Sequence, residues 1–309
     1  MISLRPAATP GGPYWRALMA TFIQLLVSGL ATGAIYALIA VGFTLLWQTS
    51  QTINFAQGEF VMVPAFFILE AMYLGAPFWL AALIGIALSV LLLGLTFKLI
   101  IVDPMLKHGV LPLVISTIAL SLFMKEMVKN LYSSQAQPFP ALVAPYDFHI
   151  LGAVISSQSL AVLAVAISAV VLLHLLLHRT RLGRAMQATA QNPTLARILG
   201  ISVRRMVLYT FMINAVLCAI ASILISPIYL AKFVNGETLG IAAFLAAIIG
   251  GFNQVRGAIV GGFLIGILDN LSAAYISSTY RAASPLLILI VIIMFRPQGL
   301  LGRVEERTV

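Results

Sequence analysis

Asp269 and Asn270 lie about two thirds of the way along an apolar run, residues 258–275. A carboxylate so deep in apolar sequence needs a partner or water. It is therefore a candidate for handling an ion or a polar substrate, the alternative being a structural pair or exposure near an interface. A second polar cluster, INFAQGE at 53–59, interrupts nearly continuous apolar sequence between 17 and 74. Asn54, Gln57 and Glu59 must there either sit in a cytoplasmic turn, the structural reading being a capped turn, or line a wet cavity, because bare contact with lipid is costly. Glu59 also suits the start of the following helix, where a carboxylate meets the positive end of the helix dipole.

Other reactive residue types lack the company that chemistry needs. His174 and His178 are four apart on one helix face, but no Glu follows the first as in HExxH, so they read as headgroup-level histidines. Glu70, Lys125, Glu126 and Lys129 fall toward the ends of their spans, where snorkelling accounts for them. The lone Cys218 sits inside an apolar run, which rules out an internal disulfide or a thiolate metal cluster. No lysine follows a glycine, so there is no GxxxxGK[ST] phosphate loop, and no GxSxG elbow is present. Nothing assembles a catalytic centre or a cofactor site, and the chain is not expected to be an enzyme.

One polar segment carries a local design. In RLGRAMQATAQNPTLARILGISVRRM, residues 181–206, Asn192 can cap a helix, Pro193 suits its first position and Gly200 its left-handed stop. Leu195, Ile198 and Leu199 then share a face, with Arg197 turned away. A short capped helix with an apolar face fits a partner's groove, or it lies on headgroups with its arginines on anionic lipid.

The elements that must position these residues follow from composition. Of 309 residues, 61% are hydrophobic and 9% charged, with a mean hydropathy of +1.06. A soluble surface needs about 25% charged residues, so a cytosolic enzyme is excluded. Apolar spans at 17–47, 58–74, 77–102, 111–128, 160–177, 207–231, 239–251, 258–275 and 285–295 predict an all-α polytopic transmembrane bundle. They do not alternate as barrel strands would. About eight to ten crossings are expected, some broken or half-spanning, because the first run is long for one crossing and 239–251 is short. Residues 1–16 read as a flexible tail, 17–302 as the membrane domain and 303–309 as a C-terminal tail. Glycine pairs at one-turn spacing, such as Gly29 with Gly33 and Gly262 with Gly266, predict close helix packing.

The formal charge of +9 is explained by orientation in a membrane, with no nucleic-acid partner implied. Arg179, Arg181, Arg184, Arg197, Arg204 and Arg205 fall in one stretch without an acid, which places 179–206 in the cytoplasm. Counting onward returns Arg256, Arg296, Arg303 and Arg307 to that side. Counting backward puts 130–159 outside and leaves the N-terminus external unless the first run adds a crossing.

Five blocks in order then carry a resemblance: GLATGAIYALIAVGFTLLW (29–47) with INFAQGE, the RLGRAMQATAQNPTLARILGIS loop, AFLAAIIGGF (243–252), GAIVGGFLIGILDNLSAAYIS (257–277) and FRPQGLLG (295–302). From about residue 24 onward the chain resembles the branched-chain amino-acid ABC-transporter permeases, in their LivH-like branch. The resemblance implies an importer subunit of the bacterial inner membrane. Its expected partners are two ATP-binding cassette subunits, a second related permease and an extracytoplasmic solute-binding protein, with ATP and magnesium bound by the partners and not by this chain. It implies that the arginine-rich loop couples to the ATPase through Asn192, Pro193, Leu195, Arg197 and Gly200, flanked by Arg184 and Arg204. It also places Asn54, Gln57 and Glu59 beside the translocation path, with Asp269 and Asn270 as further candidates. Many relatives have His where Gln57 stands. The alternative from the residues alone is an ion-coupled secondary transporter using Asp269 or Glu59.

Overall fold

A computed structural model describes residues 13–132, 134–150, 152–277 and 283–302. The chain begins with α1 (Pro13–Ser50) and α2 (Gln57–Tyr73), followed by α3, which runs from Phe78 to Leu106, and α4 (Val110–Leu131). A hairpin of β1 (Asp147–Ile150) and β2 (Ala153–Ser156) leads into α5 (Ser157–Arg179), α6 (Arg181–Gln191) and α7 (Pro193–Ile198). Then come α8 (Val203–Tyr229), α9 (Asn235–Gly250), α10 (Val255–Tyr275) and α11 (Ala283–Phe295). Among the described residues six helices are long and apolar enough to cross a membrane: α1, α3, α4, α5, α8 and α10. The all-α bundle expected from the apolar spans is therefore present, with every span found as a helix.

The boundaries differ where the cues were weak. The first run is one unbroken helix of 38 residues, which begins at Pro13 inside the segment read as a tail. Residues 1–12 and the expected tail 303–309, with Arg303 and Arg307, lie outside the described residues. The β1–β2 hairpin was not anticipated. It pairs Asp147 with Ser156 and Ile150 with Ala153.

The glycine pairs do what their spacing predicts. A methyl group at Gly33 would sit 2.8 Å from the Phe263 Cα, and one at Gly29 would sit 2.9 Å from the Ile267 Cα. No side chain fits between α1 and α10 there, so the two backbones pack directly and α1 becomes the bundle's central post. Two stretches of α3, Val90–Thr96 and Lys98–Val102, are wound with i→i+5 hydrogen bonds. The widened turns bring Gly94 against the Met212 backbone of α8, about 3.0 Å from a methyl group placed on it.

The two ends of α1 lie at opposite ends of the bundle. A methyl group placed on Gly152 in the hairpin would lie 3.6 Å from the Ala20 Cβ, whereas Leu45, Gln48, Thr49 and Gln51 share a cavity with α5, α6 and the turn before α10. The second end also holds Arg256 and, through Leu300 and Leu301 bonded to Ile249 and Gly250, the segment following Arg296. Arg256 and Arg296 thus lie at the same end as α6 and the close of α5.

Candidate functional site

After α1 the chain turns at Gln51 (φ 52°) and runs without helix through 52–54 back into the bundle. Phe55 stacks obliquely on Phe244, and its N–H donates to Thr117 Oγ1 at 3.3 Å. Asn54 forms the turn that starts α2: its Oδ1 accepts from the Ala56 N–H at 3.0 Å and its carbonyl from the Gln57 N–H at 3.2 Å. Asn54 Nδ2 is buried without a hydrogen-bond partner among the described residues. The INFAQGE block is thus a turn, but one buried within the bundle rather than set in a loop, and among the described residues it keeps one buried donor unused.

Gln57 is fully buried in an amide pair. Its Nε2 donates to Asn214 Oδ1 at 2.7 Å, and Asn214 Nδ2 returns a bond to Gln57 Oε1 at 2.9 Å. Cys218 Sγ lies 3.3 Å from the same Nε2. Gly42 makes room for the pair, because a methyl group there would overlap Asn214 Oδ1. In this conformation Gln57 joins α2 to α8 and faces no open space. Asn214 escaped the sequence reading, although a lone amide in the run 207–231 was the signal that could have found it.

Glu59, also buried, stands in the first turn of α2 against α9, where a methyl group at Gly236 would lie 2.9 Å from its Oε1. Ser121 and Lys125 of α4 face it. Lys125 does not simply snorkel, because its Nζ is 2.8 Å from Glu237 Oε2 at the start of α9. Gly58 packs on Gly236 so closely that the two helix starts touch. Asn54, Gln57 and Glu59 therefore form one buried region where two helices begin among polar groups.

Asp269 and Asn270 belong elsewhere, on the α1–α10 seam. The Tyr36 hydroxyl donates to Asp269 Oδ2 at 3.1 Å. Asn270 Nδ2 donates to the Gly266 carbonyl at 3.0 Å and reaches Thr32 Oγ1 at 3.4 Å. The structural pairing considered for Asp269 is what the fold shows, and the two clusters approach different faces of α1.

At the basic end, α7 has the caps that its sequence encodes. Asn192 Oδ1 accepts from the N–H groups of Thr194 and Leu195, both at 3.0 Å, and Pro193 occupies the first turn. Gly200 ends the helix at φ +79°, with its N–H on the Arg197 carbonyl and that of Ile201 on the Ala196 carbonyl. Ala196 is the residue packed inward, while Leu195, Ile198 and Leu199 face out, the last two 75% exposed. Arg184 and Arg197 are exposed. Arg204 is engaged, with Nε and Nη2 on Asp103 Oδ2 at 3.2 and 3.1 Å. The same oxygen accepts from Lys98 at 2.9 Å.

Comparison with known proteins agrees with this architecture. The profile of a family described as the permease component of the branched-chain amino acid transport system matches residues 25–295. The high-affinity branched-chain amino acid transport system permease protein BraD of Pseudomonas aeruginosa is 32% identical over 304 residues, covering 93% of this chain and 98% of that protein. The corresponding LivH protein of Escherichia coli K12 is 31% identical with the same coverage. The ribose import permease protein RbsC of Bacillus subtilis is 29% identical over 182 residues, 55% of this chain and 56% of its own length. No solved structure matches. Since the family profile spans nearly the whole bundle, and relatives above 30% identity align along almost their full length, the chain belongs to the permease components of branched-chain amino acid transport systems.

Proposed function

We propose that the chain is the membrane-spanning subunit of an ATP-driven importer of branched-chain or other hydrophobic amino acids in a bacterial inner membrane. Its segment 179–206 and its C-terminus face the cytoplasm. Two ATP-binding cassette subunits supply ATP and magnesium chemistry, a second related permease completes the membrane part, and a solute-binding protein delivers the substrate. The ion-coupled alternative is not favoured: the relatives named above are permease proteins, and Asp269 is already hydrogen-bonded to Tyr36.

The single observation behind this reading is α7. A six-residue helix is too short to persist by propensity, yet here it is closed at both ends by side-chain and glycine caps. It holds Leu195, Ile198 and Leu199 outward at the basic end. Such a rigid apolar knob fits a groove on a soluble partner, with Arg184 and Arg197 at its rim and Arg204 anchoring its base to α3. The partner's movement then reaches α8 directly. The translocation path passes the start of α2, where the spare Asn54 amide and the Glu59 carboxylate suit the two charges of a zwitterion. Gln57 holds that region to α8, while Asp269 and Asn270 hold α10 to α1.

The test is co-purification with the co-expressed ATPase subunits. Ile198→Asp removes the apolar contact from an exposed site, and Pro193→Ala with Gly200→Val removes the proline of the first turn and the left-handed stop that fix the helix. Each is expected to lower ATPase recovery by about tenfold or more while membrane insertion stays intact. Unchanged recovery in both variants overturns the docking role.

A further inference from the structure

A cavity of about 720 Å³ opens at the basic end between α1, α5, α6 and the start of α10, away from α7 and from the start of α2. We infer that it binds the phosphate-bearing headgroup and upper acyl chain of an anionic phospholipid from the adjacent leaflet. This does not depend on what the protein transports.

The lining has two parts that match an amphiphile. One wall is apolar, built from Val170, Val171, Leu173 and Leu177 of α5, Leu45 of α1 and Ile259 of α10. Val171 and its neighbours Leu172 and Leu175 are exposed on the outer surface of α5, so the wall is continuous with the side that meets lipid tails. The other part is polar and carries Arg256, His174, His178 and Gln191 at the level where α5 ends in His178 and Arg179. Among the described residues no carboxylate lines the cavity. Arg256 makes no hydrogen bond or ion pair among the described residues, and it is exposed. The imidazoles of His174 and His178 stack at 4.1 Å, with His178 Nδ1 3.0 Å from the His174 carbonyl, which leaves both Nε2 atoms available. Most of the other amides are occupied: Gln48 donates to the Asn253 carbonyl, Gln51 to that of Trp47 and Gln187 to that of Leu177. The unpaired Arg256 guanidinium and an Nε2–H of His174 are thus the free donors, in a pocket whose described lining carries no carboxylate and which opens toward lipid. A free phosphate would leave the apolar wall unused, whereas a phospholipid fills both halves.

Trp47 reports on this site, because its Nε1 donates to Asn253 Oδ1 at 2.9 Å and Asn253 lines the cavity. The full chain with Trp15→Phe and Trp79→Phe keeps Trp47 as its only tryptophan. It is reconstituted in phosphatidylcholine vesicles containing brominated phosphatidylglycerol or brominated phosphatidylcholine, and Trp47 quenching is measured. An apparent affinity about fivefold higher for the anionic lipid is expected, the factor ordinarily supplied by one basic residue at an anionic surface. Adding Arg256→Gln, His174→Gln and His178→Gln should abolish the preference while quenching by the neutral lipid persists, which also shows that the variant is folded. Arg256→Lys should retain it. Equal quenching by both lipids overturns the inference. So does quenching by neither, which means that protein covers the cavity, or a preference that survives in the triple variant.

Discussion

Gln57 and Asn214 satisfy each other inside a bundle that offers their side-chain amides few other partners. In lipid-embedded bundles a hydrogen bond between helices contributes only about 0.6 kcal/mol on average, so the pair is a weak source of net stability. The asymmetry is larger, because removing one partner strands a buried amide at about 1–3 kcal/mol. Gln57→Leu and Asn214→Leu should therefore each destabilise the purified protein within that range. The double variant should cost clearly less than the sum, since no amide is then stranded. A double-mutant cycle on unfolding in detergent measures this, and strict additivity would show that the two amides act independently. Asn54 is the contrasting residue. Its oxygen builds the α2 turn while its Nδ2 stays buried and unused, a condition that structural amides usually avoid.

Between elements, α3 is fastened to α8 by three charges around one oxygen. Lys98 is 1% exposed and depends on Asp103, whereas the Arg204 side chain is 74% exposed in the same cluster. Losing the partner of a buried charge costs about 3–5 kcal/mol, and losing an exposed pair about 0–1 kcal/mol. Asp103→Asn should thus destabilise the bundle far more than Arg204→Gln, as read by unfolding in detergent. Similar losses in the two variants would mean that Lys98 does not rely on Asp103. The sequence made some of these elements legible and concealed others. The caps of α7 could be read because Asn192, Pro193 and Gly200 act on backbone groups within a few residues of themselves. The Gln57–Asn214 pair could not, because its members are 157 positions apart and only helix packing joins them. The widened turns of α3 have no residue signature, since their apolar residues fit an ordinary helix equally well. The four-residue strands of the hairpin are too short to show a period.

For the whole molecule, the undecided matter was how many times the first apolar run crosses. As a single helix of 38 residues α1 extends about 57 Å, well beyond the roughly 30 Å hydrocarbon core. Its close seam with α10 and its contact with the hairpin near Ala20 leave no room for a break. The helix therefore makes one crossing, and its first turns project at the hairpin end, opposite Arg181–Gln191 and Pro193–Ile198. Charge supplies the sidedness: Arg256, Arg296 and the arginines of 179–205 lie at the other end, which the positive-inside rule assigns to the cytoplasm. Cysteine labelling tests both steps at once, because the only native thiol, Cys218, is buried and should be silent. Met19→Cys, at a 64% exposed position of α1, should react with a membrane-impermeant maleimide in intact spheroplasts. Leu199→Cys in the turn after α7 should react only once the membrane is opened. Labelling of both from outside would mean that α1 does not cross once. Labelling of Leu199→Cys alone would leave the crossing intact and invert the orientation, and α7 would then face away from any cytoplasmic ATPase.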